Sequence, residues 1–402
     1  MAGRFDQPRK GYDDVVLAAP VTIPYQRYSI ESAHWWIGRA LKELVATAHL
    51  TPKDIDGFIA ASFSLFPDTA IGLTQHFGIS PRWLDHIPMG GASGVLALRK
   101  AARAVQMGDC TIAACVAGDT NFVDSFRKSL SSFSRFAQDA VYPYGSGGPN
   151  ASFALICSHY MRRYGATRED FGKIAVSQRD NALHFPYALM KKKLTLDEYM
   201  QARMISDPIG LFDCVMPCAG AEAFLVMREG VAQSLGLPYA RLLGTIERHN
   251  ANSEDAIQHR GGWTVDIDEL YAQAGIKADE LSFVQTYDDY PVISMMQMED
   301  LGLCKKGEGK DFVRHHTFTT DGTMPHNTSG GQLSVGQAGC AGGFLGLVEA
   351  IRQLTHSALG TQVAKARYGL VSGFGMIVYD RGLASAAAIL GAGRSADTGG
   401  ML

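Results

Sequence analysis

Ile37, Ala40, Leu41, Leu44, Val45 and Ala48 recur at three- and four-residue spacing, which predicts a helix buried along one face. A short polar stretch, residues 50–55, follows. The uninterrupted apolar run Gly57-Phe58-Ile59-Ala60-Ala61 then reads as a buried strand. The same order returns far downstream: residues 276–281 lead into Phe283-Val284-Gln285-Thr286 after another helical stretch. A second echo pairs Gly91-Ala92-Ser93-Gly94 with Gly339-Cys340-Ala341-Gly342. Each opens a helix and is followed by a strand-like run, residues 111–116 in one case and 369–373 in the other. Glycines at helix starts allow close approach and leave backbone N–H groups available. Repeated strand–helix–strand order predicts an α/β fold built from two similar halves, residues 1–245 and 246–402. Chance likeness of glycine-rich elements is the competing explanation.

Between the halves, about residues 122–237, the pattern changes. Tyr142-Pro143-Tyr144-Gly145-Ser146-Gly147-Gly148-Pro149 is loop chemistry, and residues 196–203 form a short helical pattern. This region reads as an inserted loop domain on the first half, placed to cover a site. The glycine run lacks the Gly-Lys-Ser/Thr continuation of a phosphate loop.

Length and charge narrow the function classes. A chain of 402 residues exceeds one ordinary core. A formal net charge of −3 argues against general binding to nucleic acid or anionic membrane. No apolar run is long enough for a bilayer-spanning helix, and residues 1–8 lack an apolar signal region, which gives the expectation of a cytoplasmic protein. Seven cysteines without a secretory signal are expected to be reduced. Cys214 and Cys218 lack a second ligand pair, so buried thiols are favoured over a structural zinc, and no metal site is expected.

Several stretches in order resemble the thiolase superfamily, in particular its sterol-carrier-protein type. They include Arg163-Tyr164-Gly165, residues 174–182, Ile205-Ser206-Asp207-Pro208, Gly220-Ala221-Glu222-Ala223 and residues 299–309. Pro325-His326-Asn327-Thr328-Ser329-Gly330-Gly331 is the most specific. The resemblance implies two similar mixed five-stranded sheets in a layered αβαβα arrangement, assembled as a homodimer. It also implies catalytic positions that this chain has lost. The family's nucleophilic cysteine falls at Gly91, its Gly-His-Pro histidine at Gln337, and its late cysteine within residues 370–376, where there is none. Glycine has nothing to acylate, so chemistry through an acyl-cysteine is not expected.

What replaces it is Tyr287-Asp288-Asp289-Tyr290-Pro291, which resembles the superfamily's steroid side-chain-cleaving aldolases. Retro-aldol cleavage of a β-hydroxyacyl-CoA needs a base for the hydroxyl proton and donors for the thioester enolate. Tyr287, with its pKa lowered by nearby donors, or a carboxylate is the candidate base, and Tyr290 is an aromatic expected to matter less. Strand alternation puts Asp289 with Tyr287 and Asp288 with Tyr290, unless a turn at Pro291 breaks the pattern. Gln337 and backbone N–H groups near Gly91 and Gly375 are the candidate oxyanion donors. His326 is expected near the cavity mouth, and Asn327 either touches substrate or shapes its glycine loop. His315-His316 and Cys340 have plainer readings, as solvated or core histidines and a packed small residue. The resemblance further implies a small OB-fold, zinc-ribbon partner, coenzyme A as part of the substrate and no covalent cofactor. A non-catalytic acyl-CoA-binding scaffold and an acyltransferase using Cys340 are the alternatives.

Overall fold

The computed structural model describes residues 10–123, 142–145 and 148–393. The N-terminal octapeptide, Ser146-Gly147 of the loop run and residues 124–141 of the expected insertion lie outside the described residues. In chain order the elements are β1 (Val15–Gln26), α1 (Ala33–Thr47), β2 (Gly57–Ala61), α2 (Ala70–Phe77), β3 (Trp83–His86), α3 (Ser93–Met107) and β4 (Ile112–Asp119). Then come α4 (Pro149–Tyr164), α5 (Arg168–His184), α6 (Leu196–Gln201), β5 (Met204–Ser206), β6 (Ile209–Gly210), β7 (Ala219–Arg228), α7 (Glu229–Ser234) and β8 (Tyr239–His249). The chain continues through α8 (Trp263–Ala274), β9 (Phe283–Gln285), α9 (Pro291–Asp300), α10 (Gly309–His315), α11 (Gly331–Val335), α12 (Gly342–Leu354), β10 (Tyr368–Val378) and β11 (Arg381–Ala392).

The strands run in the order β3-β2-β4-β7-β1-β8-β11-β10-β9. Read from its outer edge, each half repeats one scheme: parallel strands outside, then two antiparallel ones. The halves meet where β1 pairs with β8 over three residues only. Helices α3 and α12 pack on each other and on strands of both halves, while α1 covers the outer face of the first half and α8 that of the second. The result is the mixed α/β fold of two similar halves that the repeated pattern predicted, with the layering that the thiolase resemblance implied. The six residues expected inside, five in α1 and Ala48 just past its end, are buried. Both polar entries to the duplicated strand are short helical turns, with the Thr51 and Lys277 backbone N–H groups donating to Asp54 and Glu280.

Two expectations need correction. The second half has four strands, not five, because its fifth position is reduced to an isolated bridge between Val284 and His326. The region 122–237 also overreaches. β7 lies inside it yet pairs with both β1 and β4, so the insertion closes at Cys218. Its composition-based edge was misplaced because β7 is rich in alanine and carries a buried glutamate, Glu222, which blurs a strand signal.

The duplicated glycines meet in space. A Cβ on Gly94 would fall 2.1 Å from the Gly343 carbonyl oxygen, and one on Gly343 would fall 2.6 Å from that of Gly90. Side chains there would drive the starts of α3 and α12 apart. This contact sets the two loops that precede the helices, around Gly91 and Gln337, beside one another.

Candidate active site

A cavity of about 370 Å³ opens between these two loops, the start of α4 and the end of β10. Its wall is mostly apolar, with Phe63, Phe153 and Phe374 among its lining side chains. Gly91, Tyr287, Asp289, Tyr290, Gln337 and Gly375 all border it. Six of the eight candidate residues thus converge from four distant stretches of chain.

Gly91 and Tyr287 explain each other. A Cβ on Gly91 would lie 2.1 Å from two ring carbons of Tyr287 and 2.3 Å from the Phe374 carbonyl oxygen. The phenol ring occupies the space that a side chain at position 91 would need. Tyr287 lies two residues past the end of β9 and is 6% exposed, with the Asp289 and Gln337 side chains acting on its hydroxyl. Burial, and next the neighbouring Asp289 charge, push its pKa well above the usual tyrosine value. The expectation of a lowered tyrosine pKa is therefore reversed: at neutral pH this phenol holds its proton.

The carboxylate beside it is the better acceptor. Burial pushes Asp289 up to about 7, opposed by the Tyr287 hydrogen bond. Its Oδ1 is buried with no protein partner. Asp288 points away from the cavity. It accepts from the Gln332 and Leu333 backbone N–H groups at 2.9 and 3.2 Å and from Gln178 Nε2 at 3.0 Å, capping α11 and tying it to α5. Alternation thus separates the two aspartates as expected, but Tyr290 does not follow Asp288. It is the residue before α9, with Pro291 in the first turn, and the chain has left the extended path by then. Tyr290 turns into the cavity, stacks 4.2 Å from Phe153 and donates to Asn150 Oδ1 at 2.6 Å.

Gln337 is held by its backbone, which donates to the Met216 carbonyl at 2.8 Å and accepts from Cys218 N–H at 3.0 Å. Its side chain also bonds Gly339 in both directions. A residue that the sequence did not single out fixes this loop. Asp119, at the end of β4, accepts from Ser62 Oγ, Phe63 N–H, Ser64 N–H and Ser64 Oγ through one oxygen and from Cys340 N–H at 2.7 Å through the other. A Cβ on Gly339 would lie 2.2 Å from this carboxylate. No motif flags Asp119, but an aspartate closing an apolar strand was the available signal.

His326 and Asn327 do not border the cavity. His326 is 1% exposed, with Nε2 2.7 Å from Thr286 Oγ1, and burial pushes its pKa down to about 3. It pins the loop to β9 behind the site, because the missing fifth strand is replaced by this single bridge. Asn327 has φ of 44° and turns the glycine loop, as its plainer reading held. Cys340 is wholly buried, its thiol pushed well above the ordinary range, and it does not line the cavity. His315 and His316 sit at the end of α10, bonded to the Asp311 carbonyl and Thr323. Among the described residues, no three His, Cys, Asp or Glu side chains gather as a metal-ligand set.

Fold and site together define a thiolase-type scaffold without the thiolase nucleophile. Residues 249–391 match the family described as thiolase C-terminal domain-like. A steroid side-chain-cleaving aldolase of Thermomonospora curvata is 29% identical over 330 residues, covering 78% of this chain and 83% of that protein. The 17-hydroxy-3-oxo-4-pregnene-20-carboxyl-CoA lyase of Mycobacterium tuberculosis is 28% identical, covering 78% and 84%. Among solved structures, an Ltp2-ChsH2(DUF35) aldolase superposes with a TM-score of 0.81 at 26% identity, over 95% of this chain and 98% of that one. A monomeric SCP2-thiolase-like protein from Mycobacterium smegmatis shares the fold, with a TM-score of 0.72 at 16% identity over 97% and 78% of the two chains. Among the described residues no helix is long and apolar enough to cross a membrane.

Proposed function

We propose that this chain is an acyl-CoA retro-aldolase, a carbon–carbon lyase that cleaves a β-hydroxyacyl-CoA without an acyl-enzyme. The observation that carries this reading is the Tyr287 ring filling the nucleophile's space beside Asp289. In the cleavage, Asp289 as carboxylate takes the proton of the β-hydroxyl. The Cα–Cβ bond breaks, a carbonyl forms at Cβ, and the electron pair moves into the thioester as an enolate. The proton returns from Asp289 to Cα, with the Tyr287 hydroxyl as the donor between them. Nothing is oxidised or reduced. Products are a ketone or aldehyde and a shorter acyl-CoA. Gln337 and the backbone around Gly91 and Gly375 supply the donors for the enolate oxygen.

The acyl group would lie against the apolar wall, which suits a bulky hydrocarbon such as the steroid side chains of the related aldolases. A homodimer is part of the reading, since β3 is an edge strand with an open side and Phe66 and Ile71 nearby are exposed. So is a small OB-fold, zinc-ribbon subunit, as the DUF35 component of the related aldolase complex suggests. Seven free thiols are in keeping with a cytoplasmic setting. The test is mass analysis of products after incubation with a panel of β-hydroxyacyl-CoA thioesters, partner included. A carbonyl product and a shortened acyl-CoA are expected. Tight binding without cleavage would leave the scaffold reading instead.

A further inference from the structure

Asn150 stands in the first turn of α4 and borders the cavity together with Asp289 and Tyr290. Its amide is oriented by its neighbours. The Tyr290 hydroxyl donates to Oδ1 at 2.6 Å, and the Cys214 thiol points at the same oxygen from 3.8 Å. Tyr290 is itself fixed, 3% exposed and stacked on Phe153. With donors on its oxygen, the side chain offers the cavity its two amide N–H bonds. Across the same cavity, Asp289 Oδ1 is an acceptor with no protein partner.

We propose that Asn150 is the residue that grips the β-oxygen of the substrate, with Tyr290 as its positioning residue. The inference rests on the retro-aldolase reading. An amide donor and a carboxyl with an unpartnered oxygen, on two residues that border one space, suit a group that accepts and donates at once, and a hydroxyl does both. It accepts from Asn150 and donates to Asp289. A methylene satisfies neither, and a ketone leaves Asp289 unpaired. As the proton moves to Asp289 and the Cα–Cβ pair leaves, the oxygen gains charge and then becomes a carbonyl. It remains an acceptor for Asn150 throughout, so the contact strengthens where charge develops. The pair would make the site select for β-hydroxy over β-deoxy thioesters.

The experiment compares kcat/KM for a β-hydroxyacyl-CoA with the inhibition constant of the same thioester lacking the hydroxyl. It uses the wild type, Asn150→Ala, Asn150→Asp and Tyr290→Phe, each with a thermal melt and with the partner subunit present. Asn150→Asp keeps the shape and the acceptor for Tyr290 but removes the donors, so it guards against a collapsed pocket. Loss of kcat/KM by about a hundredfold in both Asn150 variants, and by about tenfold in Tyr290→Phe, is expected. The inhibition constant should move less than about twofold, because the deoxy analogue never used the donors. Equal losses for both ligands, or an unchanged kcat/KM, would overturn the assignment. A wild type that cleaves none of the β-hydroxy thioesters would instead refute the retro-aldolase reading, and this inference with it.

Discussion

At the scale of single residues, the site turns on a steric exchange: a ring from Tyr287 where a thiol would stand, and a carboxyl, Asp289, beside it. Tyr287→Phe keeps the ring and removes the donor, so a rate loss of about a hundredfold is expected, with a melting temperature lowered only slightly. Steady-state rates and melts check this, and unchanged rates would remove the hydroxyl from the mechanism. Asp289 gives a pH test. Its folded pKa is pushed up to about 7, and a base works only when deprotonated, so kcat/KM should rise with pH through an inflection near 7. Asp289→Asn should abolish both the inflection and most of the rate. Gly91→Ala should be costly, by about 1–3 kcal/mol of overpacking, since the added carbon meets the ring and a carbonyl. Intact mass during turnover should show no acyl adduct on any cysteine. Some of this was legible beforehand. Period-two alternation after β9 put Asp289 with Tyr287. Tyr290 was a candidate and Pro291 the foreseen break in alternation, but its turn into the cavity toward Asn150 was not legible, and Asn150 carries no motif that would single it out.

At the scale of elements, the glycine-to-glycine crossing of α3 and α12 brings the two ancestral loops together, and Asp119 locks the second of them. Asp119→Ala would strip one acceptor from five donors, several of them buried. More than about 3 kcal/mol of stability should be lost, with activity falling further as the Gln337 loop drifts. Denaturant unfolding and rates measure the two effects, and a small loss of stability with full activity would contradict the role. The duplication itself could be read from sequence, because helix and strand periodicities survive in both copies. The lost fifth strand could not be read. A strand reduced to the His326 bridge leaves polar, glycine-rich chain, 325–331, whose order comes from long-range bonds such as Asn181 Nδ2 to the His326 carbonyl. The thiols belong to this scale too. Cys214 reaches the cavity, but burial pushes its thiol up to about 12, so alkylation at neutral pH should be slow and activity should persist. Rapid inactivation by iodoacetamide would point to a reactive thiol that this site does not contain.

For the whole molecule, the buried acids set the response to pH. Glu222, wholly buried in β7 and bonded to Thr22, is pushed up to about 8 by burial, and Asp289 to about 7. An unfolded chain has released both protons well below these values, while the native state still binds them. Stability should therefore fall as pH rises from about 4.5 to 8 and level off above that. Glu222→Gln should flatten that decline in melting temperature, and an unaltered slope would assign it to other groups. Light scattering of the chain alone and with its proposed partner tests assembly, where a stable active monomer would refute the dimer. The fold class was legible because two halves repeat one pattern. Assembly is not written in any pattern along the chain.

The close fit between Tyr287 and Gly91 also bears on what the site can be changed into. The two positions constrain each other: a cysteine at 91 has no room while the ring is present, and the ring has none while a cysteine stands there. In this chain a nucleophile at position 91 is barred until the tyrosine shrinks. Gly91→Cys alone should yield a destabilised protein with no acyl adduct, whereas adding Tyr287→Ala should restore much of the lost melting temperature. A single aromatic ring in this sense acts as a lock that keeps a nucleophile out of the site.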